Sequence, residues 1–465
     1  MLAAANTASG AQPALLDVLR QKAILTEDEY RNLQRAPAGD AALLELLKTK
    51  GILTAAEYNQ VKSAQAQPAA PTVRTAAKPA DGTVFEDRSA GLKVKVGGRL
   101  HADYRSYDAR TTSRTTNTAE VRRARLGVEL ELGDWLDAEI TGDFASTAKI
   151  DTAYVNYKLA NAAQLRLGLF KMPFSLEEMT SSNFIDFQER SLANSQAPGK
   201  ERGIMVHGRP AKGLYYGVAL SNGNGDADTD DNDGKDRIGR LTANAAEWTG
   251  SKNAVLHGGI GVTRGSRPVG DVGFNGRTEA RGFRFFDPAA FTGGPVGVSR
   301  NGIEAAFAWG PFKLQAEHIA TRFDGVSAAG VAYDREIKAQ YVSASWLVTG
   351  EHYADAYRNG AFRNIRPKSD FRAGSGGRGA LELGLRYSRF DASDFQLTNP
   401  AGSGVLGAGL TDGADAWTLG LKWILNPYSR VMVNLVETRF DTLVTIGGVP
   451  TSRERALLLR GQVNF

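Results

Sequence analysis

The chain has 465 residues, 52 of them glycine and none cysteine, and its 56 basic and 51 acidic side chains leave a net charge of +5. The absence of cysteine excludes disulfides, thiolate metal sites, iron–sulfur clusters and cysteine nucleophiles, and the near balance of charge gives no footprint of a nucleic-acid binder. Mean hydropathy is −0.30, and no apolar run approaches the roughly 18 residues of a membrane helix, which leaves open a membrane β-barrel, whose alternating strands average to a soluble-looking hydropathy.

The start, Met1-Leu2-Ala3-Ala4-Ala5, lacks the charged region and full apolar core of a secretory leader, so the chain reads as a processed form. Residues 1–66 read as a small helical module built from a repeat. Leu15–Tyr30 aligns with Leu43–Tyr58 at an offset of 28, with nine identities in sixteen positions. Each unit is an apolar helix, a break and a second helix opened by a capping box, Thr26 with Glu29 and Thr54 with Glu57. Gly51 is placed to end its helix. Helices this short bury little alone, which predicts self-association or packing on a partner. The repeat resembles a short helical hairpin found at the ends of many bacterial proteins, and both a spacer and a peptidoglycan-binding module suit it. Residues 67–82 form an Ala/Pro linker, expected to be extended and exposed.

Residues 83–465 alternate with period two along nearly their whole length. Ala124, Leu126, Val128, Leu130 and Leu132 share one face, and Arg123, Arg125, Gly127, Glu129 and Glu131 the other. The same pattern recurs in 381–388 and 417–426, with aromatics near the ends of the apolar face and ions and glycines on the polar one. About seventeen such segments are separated by turn residues; an even strand count makes one of them surplus, and 149–159 is the weakest. Charges in mid-strand suit a hydrated lumen rather than a sandwich core. The chain ends in Leu457, Leu459, Gly461, Val463 and Phe465 on one parity, a terminal aromatic that resembles the outer-membrane assembly signal. The fold class is therefore all-β: a transmembrane antiparallel barrel of 16 strands, with 18 as the second choice, behind the α-helical module. Sixteen strands leave an aqueous channel.

Four stretches, in order, carry a family resemblance: Ala119–Gly127, Leu167–Ser182 with Glu189–Leu192, Trp346–Glu351 and Leu419–Pro427. On these the barrel resembles the phosphate-selective porin O/P family. The resemblance implies a homotrimeric outer-membrane anion channel with a third loop folded inward, an arginine/lysine lining, and small inorganic anions, phosphate or polyphosphate, as cargo.

The stretch 171–202 runs about thirty residues without alternation and resembles the family's constriction loop. Lys171, Arg190, Lys200 and Arg202 are candidates to line the narrowest point, with Ser181 and Ser182 donating to an oxyanion; pairing of these charges with Glu177, Glu178, Asp186 and Glu189 is the competing reading. Strand parity adds Arg123, Arg125, Arg166, Arg386, Lys422 and Arg460 as lumen cations, since arginine stays charged and binds oxyanions bidentately; for each of them a lumen salt bridge to a wall carboxylate is the equal alternative to a transport role. Glu129, Glu131, Asp137, Glu139 and Asp143 are expected below the constriction, toward the periplasmic mouth. Only 13 lysines lie in 83–465, which weakens a phosphate preference more than an anion preference. The acidic run Asp226–Gly234 lacks the glycine and glutamate of a calcium loop and reads as a solvated extracellular loop. The five histidines show no metal spacing, and no nucleophile elbow or P-loop occurs, so neither an enzyme nor a cofactor is expected. The alternative function is a general or acidic-solute porin whose periplasmic helices tether the outer membrane to the cell wall.

Overall fold

The computed structural model describes residues 12–35, 39–66, 74–77, 83–108, 117–230, 232–268, 276–374, 376–396 and 406–465. The chain divides after Val73 into two compact units.

The described residues of the first unit form four helices, α1 (Gln12–Gln21), α2 (Glu27–Arg35), α3 (Gly39–Thr49) and α4 (Ala55–Ala66). Both capping boxes form. Thr26 N donates to Glu29 Oε2 at 2.8 Å and Thr54 N to Glu57 Oε2 at 2.8 Å, and the reciprocal bonds to the threonine hydroxyls are 3.4 and 3.3 Å. The repeat extends to the turns: Ala23 and Gly51, 28 residues apart, both take positive φ after their helices. Leu16, Leu25, Leu33 and Leu43 form the core.

Most of the stretch 67–82, expected as a linker, lies outside the described residues. The exception is Arg74–Ala77, which is paired antiparallel with Thr83–Asp87 rather than free.

The second unit is a closed barrel. In chain order its strands are β1 (Leu92–Tyr107), β2 (Thr118–Leu132), β3 (Leu136–Asp143), β4 (Lys149–Ala160), β5 (Ala163–Lys171), β6 (Lys200–Gly208), β7 (Leu214–Ser221), β8 (Asp236–Asn244), β9 (Ala254–Arg267), β10 (Val296–Trp309), β11 (Phe312–Val326), β12 (Ala332–Leu347), β13 (Ala380–Asp391), β14 (Gly413–Asn426), β15 (Ser429–Ile446) and β16 (Val449–Asn464). Each pairs antiparallel with the next, and β16 closes on β1 from Ala456↔Tyr107 to Asn464↔Arg99. The count is sixteen. Thr83–Asp87 pairs with Arg74–Ala77 on one side and with the first residues of β1 on the other, beyond the stretch that β16 covers, and stays outside the closure.

The faces decide between sandwich and membrane barrel. Leu126, Val128, Leu385 and Leu419 are exposed on the outer wall, while Arg123, Arg386, Thr418 and Lys422 are buried toward the lumen. A soluble sheet would bury the first set, whereas lipid solvates it. Aromatics such as Trp135, stacked on Tyr157, and Phe312, stacked on Trp346, lie at the short-turn end of this wall, as an interfacial girdle requires.

The segment 149–159 is a barrel strand, β4, and its weak alternation has a cause. Thr141 pairs with Thr152 but Gly142 with Ile150, so Asp151 is the extra residue of a β-bulge. Two consecutive residues, Asp151 and Thr152, are buried, and parity resumes afterwards.

Several connections fold into the lumen. The loop 172–199 enters between β5 and β6. Residues 276–295 bring Phe283, Phe285, Phe286 and Phe291 against Phe323, Phe390 and Phe440 on the wall. The connection 348–379 departs from the expected alternation of short turns and long loops, because it is long and lies at the short-turn end. Its Tyr353, Phe362 and Ile365 fill that end of the lumen against Leu176, Leu347 and Ile424. Together these segments fill the side enclosed by β10–β16 and leave open space along β1–β8.

Candidate functional site

The inward loop is positioned by glycines on the wall. A Cβ on Gly384 or Gly420 would lie 3.0 or 2.9 Å from the ring of Phe187, and one on Gly302 would lie 3.0 Å from the ring of Phe174. A Cβ on Gly217 would lie 2.8 Å from Pro173. The glycines on the polar parity are thus sockets for the loop's apolar residues.

Charge completes the anchoring. Glu189 accepts from Arg122 at 2.9 Å and from Arg460 at 3.0 Å, Asp186 from Lys313 at 2.6 Å, and Glu177 from Arg386 at 3.2 Å. The one-turn helix α5 (Leu176–Met179) is capped across the lumen, where Glu317 accepts from the Leu176 and Glu177 amides at 3.0 and 2.7 Å. Burial works against the Glu189 carboxylate, but Arg122, Arg460 and Arg123 outweigh it and hold its pKa well below the usual range.

The loop confines a path along β1–β8. An upper cavity of 790 Å³ reaches from Lys149 and Asp226 at the loop end down to Arg166 and Arg363. A lower cavity of 640 Å³ continues to Asn161 and Lys212 in the short turns. Arg166, Met179, Tyr215 and Arg363 line both, which makes them the waist.

The upper cavity collects Arg123, Arg125, Arg166, Lys171, Ser181, Ser182, Arg190 and Lys200 from the expected set. Several are already engaged. Arg125 donates to Asp143 at 2.8 Å and Asp151 at 2.7 Å, and Lys200 also binds Asp151. Arg190 pairs with Glu178 at 3.4 Å and donates to the Thr180 carbonyl at 3.0 Å; Lys171 donates to the Glu178 and Thr180 carbonyls. The competing reading, that loop charges pair with one another, describes Lys171 and Arg190.

Four of the expected cations lie off the open path. Arg386 is buried behind the loop between Glu177 and Glu279 (3.2 and 2.7 Å), and Lys422 pairs with Glu382 at 2.8 Å. Arg460 is held by Asp103 at 2.7 Å. All three face inward as parity requires, but the lumen there is filled with protein. Arg202 leaves the path to hold the 222–235 loop, donating to Asp228 at 2.5 Å and to the Asp226 carbonyl at 2.8 Å. Asp226 itself pairs with Lys149 at 2.5 Å. Glu139 and Asp143, expected near the periplasmic mouth, line the upper cavity, because β3 spans only Leu136–Asp143 and ends level with Arg125.

Three path arginines escaped the sequence reading. Arg122 follows Val121, whose partner is Ala102, while Arg123 pairs with His101; a bulge turns both arginines inward. The signal was two adjacent polar residues inside an alternating strand, the same signature as Asp151-Thr152. Arg99 lies on β1, where its Nη1 donates to Ser182 at 3.2 Å. Arg363 comes from the connection 348–379, which carries no periodicity. Arg166 stacks over the Tyr154 ring at 4.0 Å.

A family model described as phosphate-selective porin O and P matches residues 94–442. The chain belongs to this porin family. Porin O of Pseudomonas aeruginosa is 27% identical over 399 residues, covering 77% of this chain and 85% of that protein. An uncharacterized protein of Caulobacter vibrioides is 28% identical over 377 residues, covering 77% and 70%. Among solved structures, an anion-selective porin from Comamonas acidovorans is 17% identical with a TM-score of 0.49, covering 80% of this chain and 100% of that one. The outer-membrane channel DcaP of Acinetobacter baumannii is 13% identical with a TM-score of 0.49, covering 83% and 100%. This porin is an outer-membrane channel, not an enzyme.

Proposed function

We propose that this porin conducts small anions, phosphate or polyphosphate foremost, along the path beside the inward loop, and does so as a homotrimer with its N-terminal helices in the periplasm. The observation that carries the reading is a set of four arginines. Arg99, Arg123, Arg166 and Arg363 line the upper cavity with no carboxylate within 4.0 Å of their guanidinium nitrogens among the described residues. Unneutralised cations along a narrow, low-dielectric passage raise local anion concentration and repel cations. Guanidinium groups also match the geometry of oxyanions, and the Ser181 and Ser182 hydroxyls stand beside Arg99 at 3.5 and 3.2 Å. The family description, phosphate-selective porin O and P, supports the same cargo class. Conduction requires that each site release what it binds, so the expected binding is weak and distributed.

Reversal potentials across a planar bilayer in asymmetric KCl test the reading, with phosphate then added. Anion selectivity and inhibition of chloride current by phosphate are expected. A cation-selective potential would overturn it, and chloride current indifferent to phosphate would remove the oxyanion preference.

A further inference from the structure

The two hairpins of the N-terminal module dock through an interface that the repeat can continue. Leu25 and Leu33 of the first hairpin share one buried cluster with Leu43 of the second, and Leu46 packs against it. Lys50 closes the contact, donating from Nζ to the Ile24 carbonyl at 2.8 Å and pairing with Glu29 at 2.5 Å.

The 28-residue offset gives five parts of this contact a counterpart. Lys22 corresponds to Lys50, Glu57 to Glu29, Ile52 to Ile24, Val61 to Leu33 and Val18 to Leu46. The counterparts are open. Ile52 and Val61, on the receiving face of the second hairpin, are 46% and 37% exposed; Val18, on the donating face of the first, is 47% exposed, with Lys22 exposed beside it. Repeat units stack through identical nearest-neighbour contacts, and arrays that end in one chain carry polar caps on their terminal faces. Here, among the described residues, each terminal face presents exposed apolar side chains, Val18 on one and Ile52 with Val61 on the other, with a lysine on the first and a glutamate on the second.

We propose that a second copy of this chain covers the open face: its α1 docks on α4 and the preceding turn, with Lys22 of one copy reaching Glu57 and the Ile52 carbonyl of the other. The contact is heterologous, so successive copies form a ring or a row rather than a two-fold pair.

The full-length porin in detergent tests this, and its lack of native cysteine removes background. With a short bis-maleimide, Lys22→Cys combined with Glu57→Cys is expected to give a ladder of covalent dimers and larger species. A mixture of the two single variants should stop at dimers, and each single variant alone should give none. Glu29→Cys with Lys50→Cys, the same contact within one chain, reports that the module is folded. Lys22→Cys with Asn59→Cys, an exposed position on the opposite side of α4, controls for mere proximity. In a chain carrying Val18→Cys and Val61→Cys, Lys22→Glu should abolish the cross-link and Glu57→Lys should restore it. Monomer alone while the intrachain pair couples would overturn the proposal. So would equal yield from the Asn59 control, dimers from a single variant, or indifference to Lys22→Glu.

Discussion

Arg122 and Arg123 are neighbours in sequence, and both line the path because β2 carries one residue more than its partner at that point. Their fates then differ: Arg122 spends its charge on Glu189, whereas Arg123 has, among the described residues, only His101, whose Nδ1 accepts from it at 3.5 Å. Partners therefore separate structural from conducting arginines better than position does. Replacing Arg99 and Arg123 together by Ala is expected to lower the anion-to-cation permeability ratio several-fold, read as a shift of reversal potential that shrinks as salt rises. Arg202→Ala should leave that potential unchanged, because the guanidinium is engaged with the 222–235 loop. Residue types and inward parity were legible in the sequence for Arg123, Arg125 and Arg166. Parity could not tell Arg386 or Lys422 from them, because it reports which face a side chain takes and not what fills the space beyond.

The inward loop is an element built for fixed placement. Phe187 occupies the space left by Gly384 and Gly420, so Gly384→Val is expected to overpack the socket at a cost of about 1–3 kcal/mol. Displacement of the loop should appear as noisier single-channel current and altered conductance with the barrel still folded. The charge clamp predicts a pH dependence. The Glu189 pKa is lowered by folding, so its contribution to docking is present above the ordinary carboxylate value and is lost as pH falls through the depressed one. The share of open-channel noise that Glu189 controls should thus rise only as pH falls below the ordinary glutamate value, near 4.3, and Glu189→Gln should remove that acid-dependent rise. The loop's position in the chain was legible as a long break in alternation with ordered composition. Its seat was not, because Glu189 meets Arg460 across 271 residues.

At the scale of the whole molecule, the division after Val73 predicts that removing residues 1–73 leaves single-channel conductance and selectivity unchanged in planar bilayers, since the path is lined entirely by the second unit. The sequence alone determined the helical repeat with its caps, an antiparallel membrane barrel of sixteen or eighteen strands and the outward apolar face. These rest on local periodicity: two residues per pleat, a capping residue three positions before its partner, and one face that must meet lipid. Only the tertiary structure decided where water remains. The filling of one side by 276–295 and 348–379 and the pairing of most lumen cations with distant carboxylates follow from closure, which brings β16 beside β1 and opposite walls within reach of one loop. Closure sets contacts between residues hundreds of positions apart, and no local pattern encodes them.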